Sequence, residues 1–231
     1  MNRLVVLSGA GISAESGLKT FRDSNGLWEG HNVMEVASPH GWGRNRGLVL
    51  DFYNQRRKQA LTAKPNAGHN ALVELEEYFD VTVITQNVDN LHEKAGSSNV
   101  IHLHGELFKS RSTLDPTLIY DIEGWELKEG DKCEKGSQLR PHIVWFGEMV
   151  PMMEMAARIT YEADIFLVVG TSLAVYPAAG LLDLIDYSVP KFIVDPNLPI
   201  KKGNDYLHLF EEAATTGLPR VKDILITHYV K

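Results

Sequence analysis

The chain has 231 residues, of which 44% are hydrophobic and 23% charged, the balance of a globular protein that buries a sizeable core as one compact unit. Its formal net charge of −7 argues against broad nucleic-acid affinity, because phosphate binding needs concentrated Lys and Arg; a small molecule or a protein segment is the better partner. The single cysteine, Cys133, excludes an internal disulfide and cannot alone supply the usual thiolate cage of structural zinc, and no apolar stretch reaches the roughly 18 residues of a membrane helix.

The first strand-like run, Leu4 to Leu7, begins too early for a signal peptide to precede it, so a cytoplasmic, membrane-free monomer is expected. Gly9-Ala10-Gly11 follows. Arg22 to Pro65 is long and rich in Gly, Asn and Trp, with one helical segment at Leu48 to Leu61. Ala67 to Phe79 is a clearer amphipathic helix, with Ala71, Leu72, Leu75 and Phe79 on one face. Next come a strand at Val81 to Thr85 and the stretch VIHLHGEL. Lys109 to Arg140 is polar and broken by Asp115-Pro116, Gly124, Gly130 and Gly136. RPHIVWFGE, a strand at Ile165 to Val169, a helical pattern at Ala178 to Asp186 and a strand at Phe192 to Val194 complete the series. Runs that are apolar throughout suit buried parallel strands. Their alternation with helices predicts an α/β fold, a doubly wound parallel, Rossmann-like sheet, with its ligand outside the carboxyl ends of the strands. We expect one domain spanning 1–231. Its Rossmann-like lobe is drawn from about 1–21, 66–108 and 141–231, and its smaller inserted lobe from 22–65 and 109–140.

A strand followed by Gly9-Ala10-Gly11 lets backbone amides approach a pyrophosphate at a helix amino end. The spacing is nevertheless unusual: Gly17 comes six residues after Gly11 where three is common, and no acidic strand end follows about 20 residues on. Thr20 to Gly30 carries Phe21, Arg22 and Trp28. It has the composition of a flap over a cofactor, with Arg22 for phosphate and Phe21 to exclude water, or of a surface loop with glycines at its turns. In TQNVDN, Gln86, Asn87 and Asp89 project from a strand end, where they fix a carboxamide or ribose, or else cap a helix. VIHLHGEL places His102 and His104 on one side of a strand, with Gly105 admitting a close backbone. His104 is a candidate general base against the alternative of a hydrogen-bonded structural histidine, the reading given to His69, His102 and His142. RPHIVWFGE, and VVGTSLAVYP with its Gly170-Thr171-Ser172, are ligand contacts or plain core plus turn.

In this order and at these separations, GAGIS with the following SG, TFR and GLW, then QNVDNLH, HGEL, RPHIVWFGE and GTS with VYPA resemble the sirtuins over nearly the whole chain. That family consists of NAD-dependent protein lysine deacylases. The resemblance implies that NAD is consumed as a co-substrate. The acyl group of a protein acyl-lysine passes to ADP-ribose, with release of nicotinamide and 2′-O-acyl-ADP-ribose. It implies that Gly9, Ala10, Gly11, Ile12, Ser13, Ala14, Glu15, Gly17, Thr20, Phe21, Arg22 and Trp28 surround the pyrophosphate and nicotinamide ribose. Gln86, Asn87, Val88 and Asp89 would serve the ribose and carboxamide pocket. Gly170, Thr171 and Ser172 would hold the adenosine side, with Asn197 and Ala214 beside the adenosine. His104 matches the general base, and Asn87 helps position water or cofactor. Val144, Phe146, Gly147, Glu148 and Val175 fall in or beside segments that flank the substrate.

Tyr53 and Arg56, three residues apart in the helical segment, share a face. A phenol and a guanidinium together bind a carboxylate; an exposed helix with a solvated Arg is the alternative. The pair resembles that of the sirtuin subclass that removes succinyl and malonyl groups, and Ala14 resembles its small residue leaving a wide acyl pocket. Most family members hold the small lobe with four cysteines on zinc, whereas here Ser112 follows Arg111 and only Cys133 remains of the later pair. No structural zinc is expected, and Leu114, Leu118, Ile119, Tyr120 and Trp125 are expected to pack in its place. Two rival readings are an NAD hydrolase or ADP-ribosyl-transferring enzyme without peptide deacylation, and a non-catalytic NAD or ADP-ribose binding module. The segments Gly147 to Val150 and Leu173 to Tyr176 disfavour the first, and the joint presence of His104 and Asn87 disfavours the second.

Overall fold

The computed structural model describes residues 1–18, 27–200 and 202–230, so Thr20, Phe21 and Arg22 lie outside the described residues. In chain order the elements are β1 (Arg3–Ser8), α1 (Gly11–Ala14), β2 (Leu27–Trp28), β3 (His31–Asn32), α2 (Val33–Val36), α3 (Pro39–Arg44), α4 (Arg46–Thr62), α5 (Ala67–Leu75), β4 (Asp80–Thr85), α6 (Leu91–Ala95), β5 (Val100–His102), β6 (Gly105–Ser112), β7 (Ile119–Asp121), β8 (Leu139–Ile143), α7 (Met153–Tyr161), β9 (Ile165–Val169), a 3-10 helix (Ala178–Leu184), β10 (Lys191–Val194), β11 (Leu207–Phe210) and α8 (Ala214–Tyr229). No helix among them is long and apolar enough to cross a membrane.

Six parallel strands form the main sheet in the order β11-β10-β9-β1-β4-β5. The chain winds outward from β1 through β4 and β5, returns to β9, and winds the other way through β10 and β11. The direction reverses between β1 and β9, which opens a crevice at their carboxyl ends. These strands are apolar throughout because both faces are covered. Leu4, Val6, Val83, Leu167 and Val194 pack with Leu72 and Leu75 of α5 and with Val221 and Leu225 of α8. The alternate residues Val5, Leu7, Ile84, Phe166 and Val168 pack with Ala156 of α7 and Leu181 of the 3-10 helix, as the period of two in a strand requires. Asn66 starts α5: its side chain accepts from the amides of Gly68 (2.9 Å) and His69 (3.4 Å), while His69 Nδ1 accepts from the Asn66 amide (3.3 Å). The same Asn66 donates to the Ile12 carbonyl at 2.8 Å, which fastens α5 to the turn after β1.

A second, antiparallel sheet of order β7-β6-β8 and the hairpin β2-β3 stand apart from the main sheet. They share a core in which Val36, Phe52, Tyr53, Leu91, Leu107 and Trp145 are buried. Of the apolar residues expected in place of zinc, Leu114 and Ile119 are 69% and 43% exposed and so do not pack there, whereas Leu118, Tyr120 and Trp125 are half-buried, Trp125 beneath the Lys58 ammonium, 3.5 Å away. Polar side chains meet there. Ser112 Oγ lies 2.7 Å from Ser137 Oγ, and Cys133 Sγ lies 3.5 Å and 3.2 Å from these two oxygens. Ser112 ends β6 while Cys133 and Ser137 lie in the segment before β8, so these groups, each able to donate and accept, tie that segment to the end of β6.

Helix α4 grips the same lobe. Buried Arg57 donates to the carbonyls of Trp125 (2.7 Å) and Leu107 (3.1 Å) and to the side-chain oxygen of Asn54. Asn54 in turn accepts from the Leu127 amide (2.9 Å) and donates to the Leu127 carbonyl (3.1 Å). Burial pulls the Arg57 guanidinium down to about 10. Among the described residues no three His, Cys, Asp or Glu side chains gather as a metal would require.

Candidate active site

At the carboxyl end of β1 the Gly9 amide donates to the Val169 carbonyl (3.0 Å) and the Gly11 amide to the Gly170 carbonyl (2.9 Å). A Cβ on Gly11 would stand 2.6 Å from Gly170 Cα, and one on Gly9 would stand 2.7 Å from Gly170 O. Gly170 has φ +63° and faces Gly11 and Ile12 backbone in turn. These three glycines therefore let the turns after β1 and β9 pass backbone against backbone at the crevice floor. The sequence reading of Gly9 and Gly11 as amides offered to a pyrophosphate needs correction, because β9 already engages both. Around them Ile12 and Ser13 are buried, Ala10, Ala14 and Glu15 are exposed, and Gly17 sits at φ +86° with nothing among the described residues within 4 Å of where a Cβ would stand.

Polar side chains from β1, β4 and β9 converge above this floor. Asn87, 6% exposed, donates through Nδ2 to the Gly9 carbonyl and to Ser13 Oγ, both at 3.2 Å. Gln86 Nε2 donates to Thr171 Oγ1 at 3.1 Å, tying the end of β4 to that of β9. Asp89 accepts from the Leu91 amide at 3.1 Å, a tight turn just ahead of α6; the N-cap position of that helix is Asn90, whose side chain makes no capping bond, so the helix-cap alternative weighed for this stretch is not realised. Burial holds the Asp89 carboxyl above the usual carboxylate range, against the Leu91 amide and the Ser13 hydroxyl. Val88 is half-buried and its carbonyl accepts from the Leu107 amide (2.7 Å).

Beneath them runs a network that sequence reasoning missed. Ser8 Oγ donates to Thr85 Oγ1 (2.8 Å) and lies 2.9 Å from His92 Nε2, while Thr85 Oγ1 accepts from the Asn87 amide (3.0 Å). The one available signal was a serine and a threonine at the ends of otherwise apolar strands. His92 and His69 stack edge to face at 5.1 Å. Burial pulls them down to about 3 and about 4 respectively, with His69 also lowering His92.

His102 and His104 do not share one strand: β5 ends at His102, and a turn intervenes before β6. Their rings still rest on successive carbonyls, with His102 Nδ1 at 2.9 Å from Asn87 O and His104 Nδ1 at 3.0 Å from Gln86 O. A carbonyl only accepts, so each Nδ1 carries hydrogen. Burial opposes charge on His102, but Glu93, 2.7 Å from its Nε2, prevails and holds the ring above its ordinary value. Among the described residues no carboxylate pairs with His104, and burial pulls it below. At neutral pH it is a neutral imidazole with Nε2 as its acceptor.

At the other end of the site, Arg56 of α4 donates through Nη1 to Glu29 Oε1 (2.8 Å) and to Gln59 Oε1 (3.3 Å). Its guanidinium lies 5.3 Å from the centroid of the Trp28 ring, which packs edge-on against Phe52 and Tyr53. Burial lowers the Arg56 pKa, with Glu29 the leading opposing charge. Tyr53 is fully buried, its hydroxyl accepts from Trp145 Nε1 at 3.0 Å, and burial drives its pKa upward, so it stays a neutral phenol.

The substrate-flanking residues divide. Phe146 and Val175 are 44% and 39% exposed; Val144 donates its amide to the His104 carbonyl at 2.9 Å; Gly147 takes φ +88°. The Glu148 carboxylate turns inward, accepting from Arg140 Nη1 (2.7 Å), Arg111 Nη2 (3.1 Å) and the Trp145 amide (2.8 Å). Glu15 reaches Thr215 Oγ1 (2.7 Å) and its amide (3.2 Å), supplying α8 with an N-terminal cap beside buried Ala214. Ser172 is half-buried, and Asn197 is exposed with its amide on Asp195 Oδ1 (2.8 Å).

Comparison with known proteins agrees with this arrangement. The profile of the Sir2 family matches residues 9–177. A protein of Bacteroides thetaiotaomicron named NAD-dependent protein deacylase is 52% identical over 231 residues, covering 98% of this chain and 99% of its own. One of Helicobacter pylori with the same name is 56% identical over 196 residues, 85% of each chain. Among solved structures, a mutant Sir2 homologue in complex with ADP-ribose matches with a TM-score of 0.88 at 36% identity, over 99% of this chain and 95% of that one. A Sir2 homologue in complex with NAD matches at 0.83 and 38%, over 98% and 88%, and Sir2 bound to an acetylated peptide at 0.77 and 29%, over 96% and 92%. The chain belongs to the Sir2 family.

Proposed function

We propose that the protein is an NAD-dependent protein lysine deacylase that removes acidic acyl groups, succinyl and malonyl, as well as acetyl. The observation that carries the deacylase reading is a neutral His104 whose Nδ1 is fixed on the Gln86 carbonyl, beside the crevice where Asn87 and Asp89 stand buried. The crevice fits NAD: it lies at the reversal point of a doubly wound sheet, its floor is lined by the backbone of Gly9, Gly11 and Gly170 with the Thr171 side chain beside them, and its rim carries buried amide and carboxyl groups. Bound NAD supplies an electrophilic ribose carbon with nicotinamide as leaving group, and ADP-ribose carries the acyl group away.

Asn87 and Asp89 hold the ribose and carboxamide end, with Ser13 fixing both. Gly170 to Ser172, Asn197 and Ala214 border the adenosine end. His104 Nε2 takes the proton of a ribose hydroxyl, which its lowered pKa permits below neutral pH. Phe21 is assigned to exclude water and Arg22 to meet phosphate, both outside the described residues. The substrate backbone lies between Phe146-Gly147 and Val175. At the acyl end the Tyr53 hydroxyl and the Arg56 guanidinium read a carboxylate, and both are desolvated enough for that hydrogen bonding to count.

Incubation with NAD and a panel of acyl-lysine peptides, with products identified by mass, tests the reading. Free lysine peptide and acyl-ADP-ribose are expected; nicotinamide release with no change in any peptide would refute it. Arg56→Met should cut kcat/KM for a succinyl peptide by about a hundredfold and for the acetyl peptide far less. Equal losses would remove the acyl assignment while leaving deacylation in place.

A further inference from the structure

The hairpin β2-β3 pairs Trp28 with His31, so Glu29-Gly30 is its two-residue loop. Both loop residues have positive φ, +50° and +81°, the conformation of a type I′ turn, for which Asn-Gly is favoured and which a glutamate seldom adopts. The turn aims the Glu29 carboxylate at Arg56 Nη1, 2.8 Å away, and the two side chains are only 18% and 10% exposed. Local backbone preference does not select glutamate here, whereas the charge pair does. The guanidinium in question is the one assigned above to an acyl carboxylate, and the inference rests on that reading. It is backed by the Trp28 ring and faced also by Gln59 Oε1. Nη1 has two hydrogens, already directed at Glu29 and Gln59, so a substrate carboxylate that takes both Nη nitrogens as a fork must displace Glu29 from Nη1.

We infer that Glu29 is an internal competitor for the acyl-carboxylate seat on Arg56, a specificity-determining residue that holds down turnover of acidic acyl-lysines relative to neutral ones. An acidic acyl group must first displace Glu29 from a largely desolvated pair; an acetyl group leaves the pair intact. The intrinsic preference of the Tyr53-Arg56 site for acidic groups is therefore masked in the native chain.

The test compares succinyl- and acetyl-lysine versions of one peptide, with NAD, on the full chain and on Glu29→Gln, Glu29→Asn and each of these combined with Arg56→Met. Glu29→Gln keeps the side-chain length; Glu29→Asn supplies the residue this turn favours. Both should raise the succinyl-to-acetyl ratio of kcat/KM about fivefold, chiefly through a lower KM for the succinyl peptide. Adding Arg56→Met should erase the gain. A ratio that fails to rise in both variants overturns the inference, since a change seen in one alone reflects the hairpin and not the charge. If the unaltered chain removes succinyl groups in an Arg56-dependent way and the Glu29 variants do not differ from it, only this inference fails. If no variant processes the succinyl peptide, the acyl assignment fails with it.

Discussion

His104 is held by one backbone carbonyl, and that contact decides which of its nitrogens receives a proton. Replacing it with alanine should lower kcat/KM by about 10²- to 10⁴-fold while the melting temperature stays close to that of the parent, because the ring contributes one hydrogen bond and little core. Burial favours the neutral ring, so the acidic limb of the kcat/KM profile should fall below the ordinary imidazole value of about 6.5; a limb centred above it would contradict the assignment. His104 was legible in the sequence because the order of its flanking motifs is distinctive. The roles of Ser8 and His92 were not, since a lone polar residue ending an apolar run carries no record of its partner 84 positions away. Nor was the partnership of Glu29 with Arg56, across 27 positions, or the inward turn of Glu148, whose partners Arg111 and Arg140 become neighbours only when β6 pairs with β8.

Helix α4 carries two consecutive arginines with different duties. Arg56 faces the Trp28 ring and Glu29, and Arg57, about 100° further round the helix, enters the lobe of antiparallel strands. Three separate acceptors meet the three nitrogens of Arg57. Arg57→Met should therefore destabilise the protein by about 3 kcal/mol by leaving buried carbonyls unsatisfied, and Arg57→Lys should recover little, as an ammonium cannot reproduce the fork. Urea unfolding of both variants checks this; a methionine variant as stable as the parent would show that the grip is dispensable. The sequence located β1, β4, β9 and β10 to within about a residue and α4 to within two, since continuous apolar runs and a clear helical stretch leave few alternatives. It gave no sign of α8, whose pattern is interrupted by Pro219, and it missed the polar contacts within the small lobe. Hydrogen bonds among Ser112, Cys133 and Ser137 depend on strand register, which no apolar periodicity encodes.

Over the whole molecule, the doubly wound architecture followed from the alternation of strand and helix patterns, whereas the charge state of its interior did not. His69 and His92 are fully buried at the junction of α5, α6 and the crevice, with folded pKa values lowered to about 4 and about 3. In the unfolded chain they bind protons below about 6.5. Between that value and their folded values the unfolded state holds more protons than the native one, so stability is full above about 6.5 and is lost as pH falls. His102, raised by Glu93, offsets part of this. A net loss of about 2 kcal/mol is expected between pH 7 and pH 5, read as a lower urea midpoint at pH 5. The doubly substituted His69→Gln, His92→Gln chain, although less stable, should show a flatter dependence; equal midpoints for the parent at the two pH values would count against it. The glycine contact between the turns after β1 and β9 has a mechanical consequence as well. Main chain laid directly on main chain has no rotamers through which to yield, so the base of the dinucleotide crevice behaves as a single plate. Whatever breathing admits the cofactor and lets its products go must be hinged elsewhere, and turnover limited by departure would respond to changes well away from Gly9, Gly11 and Gly170.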